Sequence, residues 1–209
     1  MPDNTKYKPQ TVGDLVIEDP NSLRRIADYA DGLRTGHMLM HGPKGTGKSA
    51  AADVIAKSRI DPDQWASAKS YQGSKMKSSD IEGILQDWNW QMLGGACPVT
   101  VINEIDLLAP ATLEQLKSFM DEYGHLGQIV ATTNNPHRLS VPMRDRFDII
   151  EMPAISPQGF EKRIRETLDA DGVSFDDTML RDMLATTDGS WRGALSVRED
   201  IIVASKRAA

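Results

Sequence analysis

The chain has 209 residues, 40% of them hydrophobic and 26% charged, with a net charge of −6 at pH 7. That balance excludes a disordered chain and a generally basic, nucleic-acid-coating protein, and the length allows one α/β core with a small appended domain. A single cysteine, Cys97, excludes an internal disulfide, no Cys/His cluster has metal-ligand spacing, and no apolar stretch approaches the roughly 20 residues of a membrane-spanning helix.

The start, Met1 to Pro9, is polar and lacks the apolar region of a secretory signal, so a cytoplasmic location is expected. Gly36 to His41 then reads as a strand carrying Met38, Leu39 and Met40. It runs into the loop Gly42-Pro43-Lys44-Gly45-Thr46-Gly47-Lys48-Ser49 and an Ala-rich helix from Ser49 to Lys57. Lys69, Tyr71, Lys75 and Lys77 lie among small polar residues from Ala66 to Ser79, before a helix from Asp80 to Trp90. The run Val99 to Ile102 stops at Asn103-Glu104, and Ile129 to Thr133 stops at Asn134-Asn135, as buried parallel strands ending in polar side chains do. Between them Leu113, Leu116, Phe119 and Met120 define one apolar helix face over Ala111 to Tyr123. After Met152-Pro153, three helices are expected over Pro157–Ala170, Asp176–Thr186 and Ser190–Arg207, separated by Gly172 and Gly189. The fold class expected is α/β, a parallel sheet flanked by helices over residues 1–153, with a three-helix lid over 154–209.

The Gly-rich loop has the phosphate-binding spacing of Gly, four residues, then Gly-Lys-Ser, between a strand and a helix. Its N–H groups are expected to cradle ATP phosphates, Lys48 to reach the β and γ oxygens, and Ser49 to ligate Mg²⁺. Glu104, past the end of the next long strand, is the candidate for orienting or deprotonating the attacking water; the plain alternative is a surface Glu. Asn103 stands where an Asp usually holds the metal's water shell. An amide can still accept a hydrogen bond from metal-bound water but brings no charge, so weaker metal binding or slower hydrolysis is expected.

Taken in order, Lys6-Tyr7-Lys8-Pro9 with Thr11 to Val16, the phosphate loop, Val101 to Leu108, Leu116 to Tyr123 and Thr132 to Phe147 resemble the clamp-loader branch of the AAA+ ATPases. That branch comprises the ATPase subunits of replication factor C and of T4-like phage loaders. The resemblance implies that Tyr7, Pro9, Val16 and Ile17 wrap the adenine. It implies that Asn134 is the sensor 1 residue, with Asn135 as the adjacent alternative. It also places an arginine finger for the neighbouring subunit at Arg146, with Arg144 as one alternative and a surface salt-bridge role for both as another, and a lid arginine, sensor 2, at Arg192. The partners it implies are a homo-oligomeric ring or related subunits, DNA and a sliding clamp, without a membrane. Loaders continue into a third, helical collar domain, so assembly here is expected to rest on the ATPase and lid faces. In loader-like rings the region of Lys69, Lys75 and Lys77 faces the central channel, which makes these lysines candidate DNA contacts; a solvated basic loop is the alternative. Tyr71-Gln72-Gly73 leaves protein remodelling through a pore loop as a second reading. An ATP-binding scaffold that hydrolyses weakly because of Asn103 is a third.

Overall fold

A computed structural model describes residues 7–59, 68–93 and 97–208. Lys6, and Ala66 and Ser67 of the basic segment, lie outside the described residues. The five strands are β1 (Met38–His41), β2 (Lys69–Gln72), β3 (Val99–Asn103), β4 (Gln128–Thr133) and β5 (Asp148–Glu151). They form one parallel sheet in the order β2-β3-β4-β1-β5. The sheet is buried on both faces, so its strands alternate between two cores rather than between core and water. Leu39, Ile102, Ile129 and Ala131 face one core. It is filled by α3 (Ser78–Leu93), through Ile81, Ile84 and Trp88, and by α4 (Pro110–Tyr123), through Leu116, Phe119 and Met120. Met38, Met40, Val101 and Val130 face the other, covered by α1 (Pro20–Ala30) and α2 (Lys48–Ser58).

The long apolar strands and the helices between them lie where their periodicity puts them. Three elements leave weaker signals. Helix α1 is polar overall, yet Asp19 caps it by accepting from the Ser22 N–H (2.8 Å), Pro20 opens it, and Ile26, Tyr29 and Ala30 are buried. β2 is an edge strand with no fully buried side chain, and β5 buries only Ile150. Neither has the apolar run by which a central strand is recognised.

After the short helix α5 (Val141–Arg144), the helices α6 (Pro157–Ala170), α7 (Asp177–Ala185) and α8 (Trp191–Ala208) form a third core with Phe160, Ile164, Leu168, Leu180, Leu184 and Val197. Ser156 caps α6 and also donates its N–H to Glu18 (2.9 Å), which ties this helical unit to the segment preceding α1. The start of α8 reaches the phosphate loop directly: the Trp191 N–H donates to the Gly45 carbonyl at 2.8 Å. Among the described residues no helix is long and apolar enough to cross a membrane.

His37 fastens the sheet just before β1. Its Nδ1 accepts the Ile129 N–H (3.1 Å), and burial pushes its imidazole down to about 4. Protonation therefore removes an acceptor that β4 needs. Because the folded-state value lies below the ordinary 6.5, the contribution is complete above pH 6.5 and lost as pH falls toward 4. Thermal unfolding from pH 8 to 4 should show Tm falling through this window in the parent and less steeply in His37→Gln. Parallel slopes for the two proteins would contradict this role.

Candidate nucleotide site

The site occupies the carboxyl ends of β1, β3 and β4, where a parallel sheet presents backbone and side chains to a ligand. The chain leaves β1 through Gly42 at φ +149°. A Cβ there would stand 2.0 Å from the Met152 carbonyl oxygen, so only glycine lets the loop turn back beside β5. Gly45, at φ +82°, lies so close to the lid that a Cβ would be 2.5 Å from Ser190 Cβ. The loop is thus shaped by its own backbone on one side and clamped by α8 on the other. Lys48, 7% exposed, bends over it and donates to the carbonyls of Gly42 (2.9 Å) and Pro43 (2.5 Å). Burial pushes the Lys48 ammonium down to about 8, and the Glu104 carboxylate opposes that shift.

Two compartments flank the loop and share Gly47, Ala50, Trp191 and Leu195. One is an apolar pocket of about 180 Å³ bounded by Tyr7, Pro9, Val16 and Ile17 from the amino-terminal arm, with Thr46 and Ile164. All four residues implied to wrap the adenine therefore line one cavity. The other is an open cleft of about 520 Å³ that brings together Lys44, Lys48, Ser49, Glu104, Asn134 and Arg192. An apolar pocket joined to a cationic cleft along Gly47, Ala50, Trp191 and Leu195 has the polarity that a nucleoside triphosphate needs.

Glu104 is the described non-glycine residue with positive φ (54°), a costly backbone state that persists only where neighbours enforce it. The enforcement is visible. The Glu104 N–H donates to Thr132 Oγ1 (3.2 Å), its carbonyl accepts the Leu107 N–H (2.9 Å), and Gly73 packs so tightly on that carbonyl that a Cβ would lie 2.1 Å from it. Glu104, on this strained turn, lines the cationic cleft. Asn134 follows β4, and the turn that carries it is held by Thr133, which donates to Asp106 (2.6 Å) and accepts the Asn135 N–H (3.0 Å). Asp106, which supports this turn from outside the cleft lining, leaves only its spacing two residues after Glu104 as a signal in the sequence.

Asn103 behaves differently from Glu104. It is 5% exposed, accepts from Thr132 Oγ1 (3.2 Å), donates to Ser70 Oγ (3.3 Å) and does not line the cleft. Ser49 does line it, exposed. Among the described residues no group of three His, Cys, Asp or Glu side chains could hold a metal. The donor set fits an Mg²⁺ that arrives on the nucleotide, with phosphate oxygens as its main ligands and Ser49 as the chain's own.

Several expected residues lie elsewhere. Arg146 does not line this cleft and forms a two-pronged pair with Asp121, Nε to Oδ1 at 2.7 Å and Nη2 to Oδ2 at 2.5 Å. That hydrogen bonding holds the Asp121 carboxyl below the usual carboxylate range. Arg144 keeps its Nε buried without a hydrogen-bond partner among the described residues. Lys69 pairs with Asp87, whereas Lys75 and Lys77 stand exposed in the turn after β2. Tyr71 is partly buried against the α3/α4 core rather than projecting free.

A lid network also escapes sequence reading. Arg198 is 7% exposed, donates Nε to Thr167 Oγ1 (3.0 Å), pairs with Asp171 and lies 4.9 Å from the Tyr7 ring centroid. The Tyr7 hydroxyl donates to the same Asp171 (2.5 Å). Thus the arm that bounds the apolar pocket is fastened to α6 and α8. Nothing in the sequence brings residue 7 beside residue 198 until the helices are packed.

Residues 38–153 match the model of the family described as "ATPase family associated with various cellular activities (AAA)". Similar proteins include the "Replication factor C small subunit" of Archaeoglobus fulgidus, 24% identical over 199 residues that cover 91% of this chain and 60% of the relative. The protein of the same name from Halobacterium salinarum is 24% identical, again covering 91% and 60%. "Replication factor C subunit 4" of Arabidopsis thaliana is 23% identical over 203 residues with the same two shares. The chain thus spans about 60% of the length of these relatives. In fold it is similar to the Thermotoga maritima RuvB Holliday junction branch migration motor, with a TM-score of 0.75 at 21% identity over 97% of this chain and 72% of that one. The phosphate loop, the strand order and the family match converge on one assignment: the chain belongs to the AAA family of ATPases.

Proposed function

We propose that this chain binds Mg·ATP across the two compartments and hydrolyses it as one subunit of a cytoplasmic ring, or of an assembly with related subunits, that acts on DNA in a clamp-loading or similar remodelling step. The observation that carries the catalytic part is Glu104. A strained residue is held by three separate contacts with its carboxylate in the same cleft as Lys48, Ser49 and Asn134. In this reading Tyr7, Pro9, Val16 and Ile17 enclose the base, while the N–H groups of Gly42 to Ser49 and the Lys48 ammonium hold the phosphates. Ser49 would hold the metal without help from Asn103, whose amide is spent on Thr132 and Ser70. Glu104 and Asn134 orient the attacking water, and Arg192 reaches the phosphates from the lid. Residues 1–153 act as the nucleotide-binding unit and 154–209 as its lid. Arg146 serves the neighbour's site, in keeping with its absence from the lining of its own cleft; its pairing with solvent-screened Asp121 is readily exchanged for a phosphate.

The DNA part rests on the replication factor C relatives and on Lys75 and Lys77, with Lys69 a weaker contributor because Asp87 already neutralises it. Tyr71, packed on the core, favours this over polypeptide remodelling. A scaffold with weak hydrolysis is favoured by one observation, the engagement of Asn103 with Thr132 and Ser70. Fluorescence anisotropy with primed duplex DNA and ATP should show binding whose log–log salt slope falls by about one for each lysine removed in Lys75→Ala and Lys77→Ala. No binding at low salt with ATP present would refute the DNA role.

A further inference from the structure

The phosphate cleft holds one cation more than its motif requires and one carboxylate fewer. The phosphate-loop pattern leaves its third position open, and here that position is Lys44, exposed at the cleft. Among the described residues no carboxylate pairs with it. Its neighbour Gly45 is fixed by the hydrogen bond from Trp191, so Lys44 is held at the mouth where α8 delivers Arg192. The cleft is therefore lined by three cationic side chains, Lys44, Lys48 and Arg192, against the single carboxylate of Glu104. The residue beside Glu104 that could have added a second negative charge, at position 103, is a neutral amide turned into the sheet.

These two departures act in the same direction. Divalent metal at a triphosphate chiefly neutralises phosphate charge and is held partly by protein carboxylates. A site with a missing carboxylate holds the metal less firmly, while an extra ammonium neutralises phosphate directly. We propose that Lys44 is a second phosphate-binding cation acting on the terminal phosphate, so that this site retains nucleoside triphosphate with little dependence on divalent metal. This rests on the nucleotide-site reading above and adds to it the class of ligand held, a metal-free triphosphate as well as the metal complex.

The test is equilibrium binding of a fluorescent ATP analogue in excess Mg²⁺ and in EDTA, using the full chain. Lys44 is exposed, so Lys44→Ala leaves the core intact, and Lys44→Arg preserves the charge. The parent should lose less than tenfold in affinity on chelation. Lys44→Ala should lose tenfold or more in EDTA but much less in Mg²⁺, and Lys44→Arg should restore most of the EDTA affinity. Competition by unlabelled nucleotides should locate the contact: the deficit of Lys44→Ala should be large for ATP, smaller for ADP and absent for AMP. Asn103→Asp should shift the parent toward stronger metal dependence. Loss of parental binding in EDTA, or equal EDTA affinities for parent and Lys44→Ala, overturns the proposal while binding in Mg²⁺ leaves the nucleotide site standing. Absence of parental binding in both conditions overturns the site itself.

Discussion

Glu104→Gln should bind ATP with near-parental affinity and lose turnover by roughly 10²- to 10⁴-fold, the usual contribution of a positioned proton acceptor. The substitution isolates the charge. Glutamine has the same length, and the φ of 54° is imposed by Thr132, Leu107 and Gly73 acting on the backbone, so it persists in the variant. Replacement by alanine would also remove side-chain bulk from the cleft. Single-turnover hydrolysis measured beside equilibrium binding separates the two effects. Equal turnover by variant and parent would remove Glu104 from the mechanism and leave its backbone strain without a chemical role.

Lys48→Ala should weaken ATP binding by roughly 30-fold to several thousand-fold, the range for truncating one partner of a buried, hydrogen-bonded charge pair. The buried ammonium is held over the loop by two carbonyls, and triphosphate offers it oxygens carrying full charge instead. Binding of AMP, which has no β or γ phosphate for Lys48 to hold, should change little. Undiminished ATP affinity in equilibrium dialysis would refute the phosphate-loop assignment.

The parts of this site legible in the sequence are those set by local spacing. Gly42 to Ser49, Glu104 and Asn134 each sit at the end of an apolar run, so a strand pattern suffices to place them at one edge of a sheet. The adenine pocket was legible only through family resemblance, because Tyr7 and Ile17 belong to an arm with no periodicity of its own. The Arg198–Asp171–Tyr7 network could not be read at all: its members lie up to 191 positions apart and meet only through packing of α6 on α8. Asn103 was visible as a departure in charge. That its amide is spent on Thr132 and Ser70 depends on β2, an edge strand whose exposed residues give no pattern. Lys44 was legible as a loop residue, but its partnership with Arg192 required the lid to be seated on Gly45.

The proposed ATP hydrolysis takes place at a site completed by a neighbouring subunit, with Glu104 supplied in cis and Arg146 in trans. Steady-state ATPase activity of mixtures tests it most directly. Glu104→Gln subunits are catalytically silent but carry an intact Arg146, and Arg146→Ala subunits carry an intact Glu104. Mixing the two should restore activity well above the sum of the separate proteins, with a maximum at an intermediate ratio. A mixture whose activity equals that sum at every ratio, from protein whose specific activity does not change with concentration, would contradict it.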